Sequence, residues 1–227
     1  MAAEGLKVAV ESAAWQDYRA SNTGMVVYYG GDPISELPIR EVPERYPSEI
    51  QPEPNYETGT FGFLGCARTK IRSTFVKSKI KYLLFVTKYV GTNEAFKDKY
   101  MVTGYYRINK IADVKRRHIR YCAEYSCLEE KVCYALRADE VRLVSADDAY
   151  LVTPQQFKTW GFSGRLTRQS RILLDEEQTG ALVKFLQDKP DITAKYIEET
   201  ARLQPHIEKK EAAADEDDGD EGGENED

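Results

Sequence analysis

The chain has 227 residues, 41% of them hydrophobic and 11% aromatic, a globular composition long enough to bury a core without disulfide staples. No run approaches the roughly 18 apolar residues of a membrane span and the first thirty residues carry no charged-then-apolar leader pattern, so no membrane partner is expected and the expected address is the cytoplasm. The net charge of −6 hides two unlike parts: eleven acidic residues against Lys209 and Lys210 put −9 on residues 208–227, which leaves +3 on residues 1–207.

In chain order, residues 32–58 come first as a breaker-rich stretch. They hold six of the nine prolines (Pro33, Pro38, Pro43, Pro47, Pro52 and Pro54) and read as extended or turn-like chain that wraps over the body or carries a ligand-facing loop. A strand-rich centre follows, with strands expected at 60–66, 81–89, 100–108, 132–138 and 140–145, each aromatic or β-branched and bounded by polar or glycine positions. Tyr82–Val86 is apolar without alternation, the pattern of a central strand buried on both faces. On 100–108, alternation assigns Thr103, Tyr105 and Arg107 to one face, expected to meet ligand, and Val102, Tyr106 and Ile108 to the other.

Helices are expected later in the chain. Thr153-Pro154 supplies an N-cap and a first-turn proline, Asp175 caps a helix with an apolar stripe of Leu182, Phe185 and Leu186, and a last helix near 193–203 carries Ile197 and Ala201 four residues apart. Residues 208–227 have no apolar side chain larger than alanine and are expected to be a disordered tail. Strands followed by helices predict an α+β fold, not a doubly wound one: a single body over 1–207, with C-terminal helices at 175–203 and a curved, mostly antiparallel sheet.

Positive charge is concentrated. From Arg68 to Arg120 there are fifteen Lys or Arg against Glu94, Asp98 and Asp113, which is +12 in 53 residues. Within this segment Arg68, Lys70 and Arg72 alternate, as do Lys77, Lys79 and Lys81, so in an extended chain each triplet would line one face as a comb of cations. Such a stripe suits a phosphate backbone, because neutralising phosphates releases counterions, and Arg116, Arg117 and Arg120 would extend it. Lysines along a strand also protect a bare sheet edge from aggregation, which is the structural alternative. Fifteen tyrosines are present, and Tyr82, Tyr89, Tyr100, Tyr105, Tyr106, Tyr121 and Tyr125 are interleaved with the cations. Their rings can stack on bases, although most tyrosines in such a composition serve the core.

Two further constellations bear on chemistry. His118, Cys122, Cys127 and Cys133 could make a Cys₃His zinc site, with Cys66 as a substitute for His118; the paired C-x2-C knuckle is missing, and buried free cysteines account for the same residues. Asp139-Glu140 and Asp147-Asp148 could hold Mg²⁺ in a nuclease, or stand simply as turn acids. There is no Walker-type loop, no Gly-rich dinucleotide fingerprint and no H-E-x-x-H. The stretch Gly161-Phe162-Ser163-Gly164 lacks the G-x-S-x-G spacing of a nucleophile elbow, so an enzyme is the less favoured class.

The segment Val102-Thr103-Gly104-Tyr105-Tyr106-Arg107-Ile108 resembles the central element of PUA-like domains, the superfamily that contains the EVE and YTH readers of modified bases. Upstream, Tyr28-Tyr29-Gly30-Gly31-Asp32 and Thr60-Phe61-Gly62-Phe63 are similar to N-terminal parts of bacterial nucleotide-modification-associated members of that group. The tryptophan-rich cage of YTH domains has no clear equivalent, Trp15 and Trp160 being the candidates. The resemblance spans residues 25–165 and implies a PUA-like centre there, a small β-barrel holding an extruded base in an aromatic pocket, here assigned to Tyr105, Tyr106, Arg107 and Trp160. The expected function is therefore a nucleic-acid-binding module without catalysis. Its alternatives are an adaptor subunit with protein partners and a metal-dependent nuclease.

Overall fold

Leu83, Leu84, Phe85 and Val86 are consecutive and all buried. A strand of that kind has to be covered on both faces, and the sheet is built outward from it. The computed structural model describes residues 10–29, 54–62, 69–89, 92–115, 132–167 and 170–199. In chain order these form β1 (Gln16–Asp17), β2 (Ser21–Tyr28), β3 (Thr60–Phe61), α1 (Thr69–Lys77), β4 (Ile80–Lys88), β5 (Tyr100–Lys115), β6 (Val132–Leu143), β7 (Tyr150–Val152), α2 (Pro154–Thr159), β8 (Arg171–Leu174) and α3 (Glu176–Gln187). Residues 193–199 are also helical.

The strands make one mixed sheet in the order β3-β6-β5-β4-β2-β8, with β1 and β7 both paired to β5. Only β2 and β4 run parallel among the described pairings; the rest are antiparallel. The fold is thus α+β with an open sheet that does not close between β3 and β8 among the described residues. No helix among them is long and apolar enough to cross a membrane.

Each face of the sheet has its own core. On the first, Val26, Leu84, Tyr105, Ile172 and Leu174 meet Leu182, Val183 and Leu186 of α3, together with Phe157 of α2 and Trp160. On the second, Met25, Leu83, Phe85, Tyr106 and Leu143 meet Ile71 and Phe75 of α1 and the tyrosines Tyr29, Tyr56 and Tyr196. Each fully buried aliphatic or aromatic side chain here contributes about 1.5–3 kcal/mol relative to exposure, so these two layers hold the sheet. The helix α3 can lie close on β2 because Gly24 leaves room: a Cβ there would stand 2.7 Å from both Leu84 Cδ1 and Thr179 Oγ1.

The expected helix starts are present. The Thr153 hydroxyl accepts from the Gln156 amide at 3.1 Å with Pro154 leading α2. Asp175 accepts from the Gln178 amide at 2.8 Å while the Gln178 side chain accepts from the Asp175 amide at 3.3 Å, a reciprocal capping box for α3. The central-strand expectation for Tyr82–Val86 also holds, since β4 lies between β2 and β5. The proline-rich stretch 32–58 lies outside the described residues up to 53, and residues 208–227 lie outside them entirely.

Other expectations need correction. The strands expected at 132–138 and 140–145 are one strand, β6, and the strand expected at 100–108 continues to Lys115. The basic triplets are not two extended combs, because residues 69–77 are the helix α1. Ile71 and Phe75, four residues apart and both buried, set that helical period; the alternation of cations around them is compatible with either structure. The face assignment on β5 fails at a bulge. Phe85 pairs with Gly104 but Val86 pairs with Val102, which leaves Thr103 without a partner on β4. As a result Val102 joins Tyr105 in the first core, while the Thr103 hydroxyl bonds Tyr29 at 2.6 Å in the second.

Candidate nucleic-acid interface

The residues expected to surround a base are part of the core. Tyr105 and Tyr106 are fully buried on opposite faces and Trp160 is buried beside Phe157, their rings 5.8 Å apart. None of the three presents an open ring face for stacking. Gly104, the glycine of the motif that carries the PUA-like resemblance, has a packing reason: a Cβ there would lie 2.2 Å from the Arg142 carbonyl oxygen, so only glycine lets β6 approach β5 at this point.

Arg107 is likewise engaged. Its Nε donates to Asp139 Oδ1 at 2.8 Å, and its second nitrogen lies 2.9 Å from Glu140 Oε2. The same Glu140 accepts from the Tyr105 hydroxyl and, at 3.1 Å, from Gln187 Nε2 at the end of α3. Burial, reinforced by the neighbouring carboxylate, pushes the Tyr105 phenol above its ordinary range, and the bonds to Asp139 hold the Arg107 proton more tightly still. Next to this cluster, Arg142 donates to the carbonyls of Leu186 and Gln187, each at 2.7 Å, and to that of Lys189, supplying side-chain donors where α3 ends. Together these groups form a seam that locks β5, β6 and α3.

That seam also engages two of the carboxylates that the nuclease alternative would use. Asp139 and Glu140 both pair with Arg107, and Asp148 is tied to the Ser145 hydroxyl at 2.9 Å. Among the described residues no group of three or more His, Cys, Asp or Glu could hold a metal ion. Of the expected zinc ligands, His118, Cys122 and Cys127 lie outside the described residues, as does Cys66; Cys133 is in β6, opposite Val114.

The basic residues divide in the same way. Arg68, Arg116, Arg117 and Arg120 lie outside the described residues, and Lys70 is in the first turn of α1. Arg72 is only 1% exposed and packs over Gly62, where a Cβ would stand 2.0 Å from Arg72 Cδ. It is an interior arginine and cannot act as a surface phosphate contact.

Lys77, Lys79 and Lys81 do come together, by a route different from the one expected. Lys77 ends α1, the chain turns through Ser78 and Lys79, and β4 begins at Ile80, paired to Ser21 of β2. The Ser21 amide donates to the Lys79 carbonyl at 3.0 Å and Lys81 Nζ donates to Asn22 Oδ1 at 3.3 Å, which brings Arg19, two residues before Ser21, to the same corner. Lys77, Lys79 and Arg19 are exposed and Lys81 is half-exposed. None of the four forms an ion pair with a described carboxylate. Lys79 has φ of 51°, in the left-handed region where a helix-ending turn usually carries glycine. A side chain with a charge stands there at a conformational cost of order 1 kcal/mol. Sequence reasoning missed Arg19, whose only signal was its nearness to a strand that was itself overlooked.

Comparison with protein-family models, with curated proteins and with solved structures returns no match.

Proposed function

We propose that the chain is a nucleic-acid-binding module that grips phosphates at the corner between α1 and β4. The observation that carries this reading is the gathering of Arg19, Lys77, Lys79 and Lys81 without a described carboxylate partner, in a body where Arg107 and Arg137 both have one. Four cations within a few residues of one strand junction offer a repeated point-charge surface, which suits the backbone of a nucleic acid and reads no sequence by itself. The resemblance of the 102–108 motif to PUA-like domains is what first pointed to this ligand class. An aromatic base pocket built from Tyr105, Tyr106 and Trp160 is not part of the proposal, because those rings are committed to the core.

The test is fluorescence anisotropy of labelled duplex DNA, single-stranded DNA and RNA against the full chain at low salt. Binding to at least one of them, weakening steeply as salt rises, is the expected result. Absence of binding to all three at low salt would overturn the proposal.

A further inference from the structure

The described sheet ends at β8. Among the described residues β8 pairs with β2 alone, so its outer edge carries unpaired backbone donors and acceptors. Natural edges are commonly blunted by lysine, proline or a bulge. This one is Arg171-Ile172-Leu173-Leu174, and Leu173 is 51% exposed, more than Leu151, the other exposed large apolar side chain among the described residues. Ile172 and Leu174 point into the first core while Arg171 and Leu173 point to solvent.

We infer that β8 is a self-association edge, at which two copies of this chain pair antiparallel about a two-fold axis and extend the sheet. A two-fold axis perpendicular to the sheet keeps each face on its own side, so residues facing one another must have the same parity. Centring the axis on Leu173 places Leu173 against Leu173 of the second copy, Ile172 against Leu174, and Arg171 against Asp175. Every position then finds a complement. The exposed leucines cover each other, the two first-face cores become continuous, and the exposed Arg171 meets an acidic residue that is itself exposed. Asp175 can take that contact without losing its cap, because its helix bond to Gln178 uses Oδ1 and leaves the second oxygen. Moving the axis by one residue onto Ile172 sets Arg171 against Leu173 and loses both the leucine contact and the charge pair. The charge pattern therefore selects a second copy in one register, in preference to an unrelated strand.

An edge of four residues buries a small area, so the association is a concentration-dependent monomer–dimer equilibrium. Sedimentation equilibrium of the full chain over a concentration series tests it, alongside L173K and L173C. The wild type is expected to shift from monomer to dimer as concentration rises. L173K, at an exposed site, should keep the thermal midpoint and weaken dimerisation by about tenfold or more, because two ammonium groups would then face each other. Opposed residues in an antiparallel pair have Cα atoms about 4.5–5.5 Å apart, within disulfide range, so L173C should cross-link under mild oxidation in a 173-to-173 bond identified by peptide mass mapping. R171C should not, since its two copies would be roughly 13 Å apart at about 3.4 Å per residue. A chain that stays monomeric throughout, or a dimer indifferent to L173K, overturns the inference and leaves the edge to the strand of another protein.

Discussion

The positive residues of this chain serve two different ends, and the contrast separates structure from contact. At the β6 seam, Arg107 and Arg142 are spent inside the fold: one bridges Asp139 and Glu140, the other bonds the carbonyl end of α3. At the junction of α1 and β4, Lys77, Lys79, Lys81 and Arg19 reach outward with no described acidic partner. A partnered cation is silent toward ligands and matters for stability. A cation without a carboxylate partner costs little to remove from the fold and carries whatever binding the charge provides.

The groups folded into the body should give the largest effects. Tyr29 and Tyr56 are held above their ordinary value of 10.0, chiefly by burial. Their folded form stays neutral where the unfolded chain has begun to ionise, so their contribution is intact below pH 10 and lost progressively above it. The loss is about 1.4 kcal/mol per pH unit for each tyrosine. Urea unfolding at pH 9 and pH 11 should differ by roughly 3 kcal/mol from these two residues, and equal stability at both would show that their burial is not maintained in solution.

Arg142→Ala comes next. It leaves the Gln187 and Lys189 carbonyls without their side-chain donor, while the Leu186 carbonyl keeps the Lys189 amide, and should cost about 2 kcal/mol in the same urea measurement, while nucleic-acid binding by the folded fraction is unchanged. Loss of binding without loss of stability would move Arg142 from the seam to the interface.

A smaller effect is expected from the acidic segment 208–227, whose −9 is joined by the chain to the body that carries the cationic corner. Its deletion should tighten nucleic-acid binding by a few-fold at low salt and have little effect near physiological salt, where charges are screened within about 8 Å. Superimposable titrations of both chains at every salt would assign the segment to solubility alone.

Much of the framework was legible in the sequence because its signals were local. The unbroken apolar run at Tyr82–Val86 marked the central strand, and the cap residues Thr153 and Asp175 marked two helix starts. What failed depended on neighbours. The period of Ile71 and Phe75 decided α1, but the alternating cations around them fit a strand equally well. The bulge at Thr103 exchanged the two faces of β5, and nothing within the strand announces it; the register against β4 does. The site was less legible for the same reason. A count of +12 between Arg68 and Arg120 treats Arg72, Arg107 and Lys79 alike, yet one is buried, one paired and one exposed. Tyrosines interleaved with cations looked like a stacking surface, and in the fold Tyr105 and Tyr106 are the two sides of the core.

The most direct test of the central claim is the salt dependence of binding for the wild type and for the triple variant K77E/K79E/K81E. Anisotropy titrations across a salt series give the slope of log K against log salt, which counts the phosphates neutralised. The account predicts that the variant unfolds within about 0.5 kcal/mol of the wild type, since no described ion pair is lost. It also predicts that its affinity falls alike for every ligand sequence and that its slope is shallower by about three. An unchanged slope, with binding intact in a folded variant, would contradict it and remove the α1–β4 corner as the phosphate contact.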